Sequence, residues 1–241
     1  MLFRKNRFVI PFSFLFSVLV KSQSVSVGGL FPVIDHSGSI ANKLDYSLYY
    51  FAAFPLANLK RPEVTKDAYF NLLYFEQALT YKLTNRFSLT GSYVYQRTNV
   101  VYDNYVNENR FYVQGKYKHS IKKINLTHRL RFDGRFIQNR ITNETPFTNR
   151  VRYLIGCDFP INENFYFTAY EEVFFNTFKN ASVVYGENWS YAAIGKKINN
   201  QNKIEAGILY ITWNTGVNNW FNQYYFQVTW INHLNFRNNK S

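Results

Sequence analysis

Leu126-Thr127-His128-Arg129-Leu130-Arg131-Phe132-Asp133-Gly134-Arg135-Phe136 alternates in character almost residue by residue. Leu126, Leu130, Phe132 and Phe136 share one face, and Thr127, Arg129, Arg131, Asp133 and Arg135 share the other. A period of two belongs to an extended strand, whose successive side chains point to opposite faces. Near the C-terminus the form repeats: Tyr224, Phe226, Val228 and Trp230 stand against Gln223, Tyr225, Gln227 and Thr229.

Working outward, the same alternation marks ten strands, at 43–54, 69–82, 86–97, 107–119, 124–137, 147–159, 164–175, 185–197, 202–214 and 222–236. Each is long enough for a tilted strand to cross a bilayer, which takes about 9–11 residues. Strands of soluble domains average about five or six. The connections alternate in length. Those around Leu83–Asn85, Ser120–Lys123, Ile161–Glu163 and Ile198–Asn202 are tight, and those around 55–68, 98–106, 138–146, 176–184 and 214–221 are longer. Outer-membrane barrels have short periplasmic turns and longer outer loops. With the tight turns on the periplasmic side, both ends of the ten-strand array fall there too, which requires an even strand count. Residues 23–42 read as a lead-in, an extra strand or a plug segment, and a hairpin there would bring the count to twelve.

The N-terminus carries Arg4, Lys5 and Arg7 before the apolar run Phe8 to Val20, then Val20-Lys21-Ser22-Gln23. A basic region, a short apolar core and such a site make a secretory signal peptide, expected to end at Ser22. Its removal takes four basic residues and lowers the formal net charge from +13 to +9 over 219 residues. The domain organisation is then 1–22 signal peptide, 23–42 lead-in and 43–241 barrel. Mean hydropathy is −0.30, too low for a helical membrane protein. It does not exclude a barrel, whose strands average apolar and polar faces. With 20 tyrosines and 24 phenylalanines, the chain can furnish aromatic girdles at both interfaces. Cys157 stands alone, so a disulfide scaffold is excluded. The basic balance could suggest nucleic acid, but export and the scattered charges argue against that partner.

The C-terminal half resembles an uncharacterised Bacteroidetes-type family of outer-membrane barrels, known only as a domain of unknown function. The resemblance rests on Leu126-Thr127-His128-Arg129-Leu130-Arg131-Phe132, Asn149-Arg150-Val151-Arg152-Tyr153, Tyr170-Glu171-Glu172-Val173-Phe174-Phe175-Asn176 and the closing Asn235-Phe236-Arg237. It implies a signal peptide, a barrel and no assigned activity, and brings no catalytic residue.

Parity gathers charge on one wall. Residues opposite each other across a hairpin share a face. The turn near 160 sets Arg152 opposite Glu172. The turn at 120–123 sets Arg110 opposite Asp133 and Tyr112 opposite Arg131, and Asp133 then lies across from Arg150 or Arg152. Arg110, Arg131, Asp133, Arg135, Arg150, Arg152 and Glu172 are therefore expected to converge inside the barrel. Facing lipid, an arginine at the midplane would cost about 2–4 kcal/mol. One functional reading is an anion-attracting constriction. The plainer reading is an electrostatic filling of a narrow lumen. Glu171 is awkward: with Glu172 inward it faces lipid, unless it lies at the interface or a bulge shifts the parity.

No catalytic constellation emerges. Of His36, His119, His128 and His233, parity turns His119 and His128 outward among Phe111, Val113, Gly115, Val151, Tyr153 and Ile155, with no serine in reach. Cys157 faces outward near His128, and such a pair can form a nucleophile. The plainer reading is a small apolar cysteine and an interfacial histidine. No metal-ligand spacing or phosphate loop appears, so no cofactor is expected.

The expectation is an all-β fold: an antiparallel up-and-down transmembrane barrel of about ten strands after a cleaved signal peptide. It is a monomer in a bacterial outer membrane, with both termini periplasmic. Its partners are membrane lipid and small anionic solutes, met through loops near 55–68 and 98–106. The expected role is a small porin-like or structural barrel. A lipid-modifying enzyme and a soluble lipocalin-like barrel are the alternatives. In the last, the apolar faces would point inward.

Overall fold

The computed structural model describes residues 25–58, 69–177, 183–216 and 219–236. The expected signal peptide and most of the 55–68 loop lie outside them. Every element is a strand: β1 Val25–Ala41, β2 Leu44–Asn58, β3 Leu72–Lys82, β4 Phe87–Thr98, β5 Val106–Ile121, β6 Ile124–Ile137, β7 Phe147–Pro160, β8 Phe165–Thr177, β9 Val183–Lys197, β10 Asn202–Gly216 and β11 Asn219–Asn235. They form one closed barrel, each hydrogen-bonded to its sequence neighbour, with β1 completing the ring against β11.

The ten expected strands are present as β2–β11, and β1 is added as a single strand of 17 residues. The even count is thereby corrected to eleven. In an up-and-down array of odd number, the first and last strands run the same way, so the closing pair β1–β11 is parallel. All other pairs are antiparallel. The alternation of β1 is weak because both faces carry apolar residues. Phe31 and Val33 are buried inside while Leu30 and Ile34 are exposed outside. At Gly29 the strand bulges, and a Cβ there would collide with the Phe54 carbonyl.

One end of the barrel carries the tight turns, and three of them share one construction. Thr84 Oγ1 accepts from the backbone N–H of Arg86 and Phe87, Asn162 Oδ1 from Asn164 and Phe165, and Asn199 Oδ1 from Gln201 and Asn202. Short polar side chains that fold the backbone in this way close a turn without extra residues. The β5–β6 turn is shorter still, with only Lys122 and Lys123 between the paired Ile121 and Ile124. At the opposite end the connection expected at 214–221 is mostly strand, since Gly216 already pairs with Asn219. The array β2–β11 begins and ends at the tight-turn end, as expected. The described chain as a whole does not: Val25 lies beside Phe221 at the far end, whereas Ser39 lies beside Asn235.

The two faces are polarised against the habit of a soluble barrel. Leu79, Leu89, Val113, Leu130, Phe132, Ile155, Ile208 and Phe226 are exposed on the outer wall, while Arg110, Arg131, Asp133, Arg150, Arg152 and Glu172 are buried inside. A lipocalin-like barrel would show the reverse.

Candidate functional site: the charged lumen

The seven residues read from parity all point into the lumen, although two of the inferred registers are displaced by two residues. Across β5–β6, Arg110 faces Arg135, Tyr112 faces Asp133 and Gln114 faces Arg131. Across β7–β8, Arg152 faces Phe174 and Glu172 faces Leu154. A slip of two keeps every side chain on its face. Of the two β6–β7 registers left open, the structure takes the one with Asp133 opposite Arg150.

The charges form three neighbouring clusters, around Glu108, around Glu76, and around Asp133 with Glu172 and Glu187; most of the carboxylates gather several donors, while Asp133 Oδ1 has no hydrogen-bond partner. Glu172, 2% exposed, accepts from Arg152 Nε at 2.8 Å and Nη2 at 2.9 Å, and pairs with Arg129 Nη2 at 2.6 Å. Asp133 accepts from Arg150 Nε at 3.0 Å, with Arg152 Nη1 at 3.9 Å. Glu108 accepts from Arg110 Nε at 2.8 Å and from Arg135 Nε and Nη2 at 2.7 and 2.8 Å. Glu76 accepts the hydroxyls of Tyr74 and Tyr112, with Arg131 Nη1 at 3.5 Å. Glu187 accepts from Trp189 Nε1 at 2.6 Å and Arg150 Nη1 at 3.4 Å. The guanidinium of Arg131 lies 3.7 Å from the centre of the Tyr112 ring, and that of Arg152 4.3 Å from the centre of Phe174. Charge-assisted, bidentate pairs are the strong hydrogen bonds of proteins, and buried charges persist only when so matched.

Glu76, Glu108, Arg129 and Glu187 complete this network beyond the seven. Glu108 shares parity with Arg110 two residues on, and Arg129 lies on the quoted polar face of β6, so both were within reach of the same argument. Glu76 and Glu187 belong to strands that are not hairpin partners of those carrying the arginines they meet, which hairpin arithmetic does not address. With all of them counted, six arginines meet five carboxylates. The apparent arginine excess largely disappears.

The other half of the section is aromatic. The Phe31 and Phe51 rings stack at 4.7 Å, and Phe51 and Tyr74 at 4.3 Å. Tyr225 lies 5.4 Å from Phe31 on one flank. Trp189 meets Phe51 at 6.1 Å and Phe174 at 5.7 Å from across the barrel. The aromatic stack and the ionic network together make a septum. A cavity of about 760 Å³ lies towards the tight turns and one of about 250 Å³ towards the other end, and Phe51, Arg152 and Trp189 line both.

The remaining candidates resolve as follows. Glu171 does face outward, where Asn188 Nδ2 donates to it and Ser190 Oγ donates to Asn188. A bulge exists in this strand pair, but further along, between Phe174 and Phe175. The His119 and His128 rings stack at 5.4 Å on the outer wall, and Tyr153 OH lies 2.8 Å from His128 Nδ1. Cys157 is paired with Leu126 on one side and Ala169 on the other. One contact escaped sequence reading altogether: Ser37 Oγ lies 3.0 Å from His233 Nδ1. The parallel seam creates it, joining residues at opposite ends of the chain. Asp45 nearby is engaged by Ser39 and Lys82. Among the described residues, no group of His, Cys, Asp and Glu is disposed to hold a metal.

A family model described as a protein of unknown function, DUF2490, matches residues 58–222. The chain belongs to that family. The match takes in β3 to β10 and therefore most of the ionic half of the septum. The aromatic residues Phe31, Phe51 and Tyr225 fall outside it. No curated protein and no solved structure matches the chain.

Proposed function

We propose that this DUF2490 chain is an outer-membrane barrel sealed at mid-height, which acts by structure and binding rather than by passive flow. The observation that carries the reading is the septum, built among the described residues from wall side chains and standing between two cavities that share Phe51, Arg152 and Trp189. The membrane location is supported by the apolar outer wall, because lipid demands what water forbids. The tight-turn end is then periplasmic and the barrel acts as a monomer in contact with lipid.

The test is single-channel recording of the refolded barrel in a planar bilayer under a salt gradient. Silence from a protein that migrates faster unboiled than boiled is the expected result. Steady, anion-preferring conductance would overturn it in favour of a porin. The Ser37–His233 contact favours a second reading, a hydrolase acting at the periplasmic rim. That reading requires labelling of Ser37 by a fluorophosphonate and lipid turnover lost on Ser37→Ala. The sealed, non-enzymatic barrel expects neither.

A further inference from the structure

Both cavities are lined by more basic than acidic residues, but the arginines of the smaller one are all ion-paired, and the cations without such a partner lie on the tight-turn side of the septum. Lys116 and Lys118 continue the inward face of β5 beyond Gln114, and Arg86 ends the β3–β4 turn. All three line the larger cavity, whose wall carries seven basic residues against four acidic ones. The acids are mostly engaged. Asp45 holds Lys82, Glu76 lies near Arg131, and Glu172 is shared by Arg129 and Arg152. Among the described residues, no carboxylate comes within the 4.0 Å of an ion pair from Arg86, Lys116 or Lys118. Asp35, on β1, makes no such pair either, but it is the acid of this wall that lies within electrostatic reach of Lys116 and Lys118.

A net charge of +3 in a walled cavity is strongly felt, because the surrounding protein screens it less than water does. The volume, about 760 Å³, is that of a small-molecule site rather than of a few waters. Its inner end is the septum, so a ligand entering from the tight-turn end stops there against Phe51 and Trp189. The polar wall between the septum and the tight turns also offers the Tyr49 and Tyr170 rings.

We propose that this cavity is a binding site for a small multivalent anion, a polycarboxylate or a phosphate-bearing molecule, held chiefly by Lys116 and Lys118 with Arg86 at the mouth. The proposal rests on the sealed-lumen reading for its closed inner end. Conductance tests that reading and equilibrium binding tests this one, so each can fail without the other.

The experiment is isothermal titration of the full barrel in detergent micelles, its folding checked by the heat-dependent gel shift. Citrate and pyrophosphate serve as separate probes at matched ionic strength. Saturable one-site binding of at least one is expected, and whichever binds more tightly separates the polycarboxylate from the phosphate source. Lys116→Gln with Lys118→Gln should weaken it by at least about tenfold. Lys122→Gln with Lys123→Gln removes the same charge from the β5–β6 turn, outside the cavity, and should change it by less than about twofold. If the first pair of substitutions fails to fold, Arg86→Gln is read instead and should weaken binding about threefold. The proposal is overturned if neither probe binds, if both double variants lose affinity equally, or if Arg86→Gln leaves affinity unchanged.

Discussion

Glu172→Gln is the most searching test of the septum. The carboxylate receives three guanidinium contacts, two from Arg152 and one from Arg129. Glutamine keeps one acceptor oxygen and turns an NH₂ towards groups that only donate. With its oxygen at the Oε1 position it keeps the contacts of Arg152 Nε and Arg129 Nη2, loses that of Arg152 Nη2, and leaves two arginines without their shared counter-ion. A hydrogen bond to a charged group contributes about 1.5–3 kcal/mol. Breaking one side of a buried ion pair costs about 3–5 kcal/mol. The expected loss is therefore about 3–5 kcal/mol, read from urea unfolding in lipid vesicles by tryptophan fluorescence and by the heat-shifted band. Arg152→Met combined with Glu172→Leu should cost less than the two single changes together, because the pair is then removed rather than orphaned. Asp45→Asn, at a rim pair whose Lys82 side chain is 41% exposed, should cost less than about 1 kcal/mol. A loss from Glu172→Gln as small as that rim control would mean a hydrated, screened lumen, and the septum would not be a structural element.

Three further outcomes follow from the same geometry. Phe132→Arg on the outer wall should cost about 2–4 kcal/mol in a bilayer, and insertion into vesicles without such a loss would argue that this wall does not face lipid. Phe51→Ala with Trp189→Ala should open the septum between its two cavities and give measurable single-channel conductance where the parent is silent. Gly207→Ala should destabilise the barrel by about 1–3 kcal/mol, since its Cβ would press on the Ala192 carbonyl and Ala193 of the next strand. Urea midpoints of the folded variants check it.

Much of this architecture was legible because a strand's two faces are written in alternate residues. The strand positions, the tight turns and the inward set Arg110, Arg131, Asp133, Arg135, Arg150, Arg152 and Glu172 all depend only on parity. Register is different: it depends on how many residues a turn consumes. Lys122-Lys123 as a two-residue turn moves Arg110 from Asp133 to Arg135 without altering any face. The first strand was obscure because the aromatic stack makes its inner face apolar, erasing the contrast that marks the others. Contacts between strands that are not hairpin neighbours, such as Arg131 with Glu76 and Arg150 with Glu187, have no local trace in sequence. Ser37 with His233 was hidden for the same reason, since only the closing seam brings them together.

That seam also orders the assembly of the barrel. Hairpins β2 to β11 each form from neighbouring segments, but His36 reaches Asn232 across 196 positions of chain. Pairings so distant are slow to find, and this one cannot begin until the last strand exists. Until then the wall is an open trough, with arginines and carboxylates wetted along its inner side. Phe31 and Tyr225, which flank the seam, come together only in the final step. The same event that removes the last free edge therefore also dries the middle of the lumen.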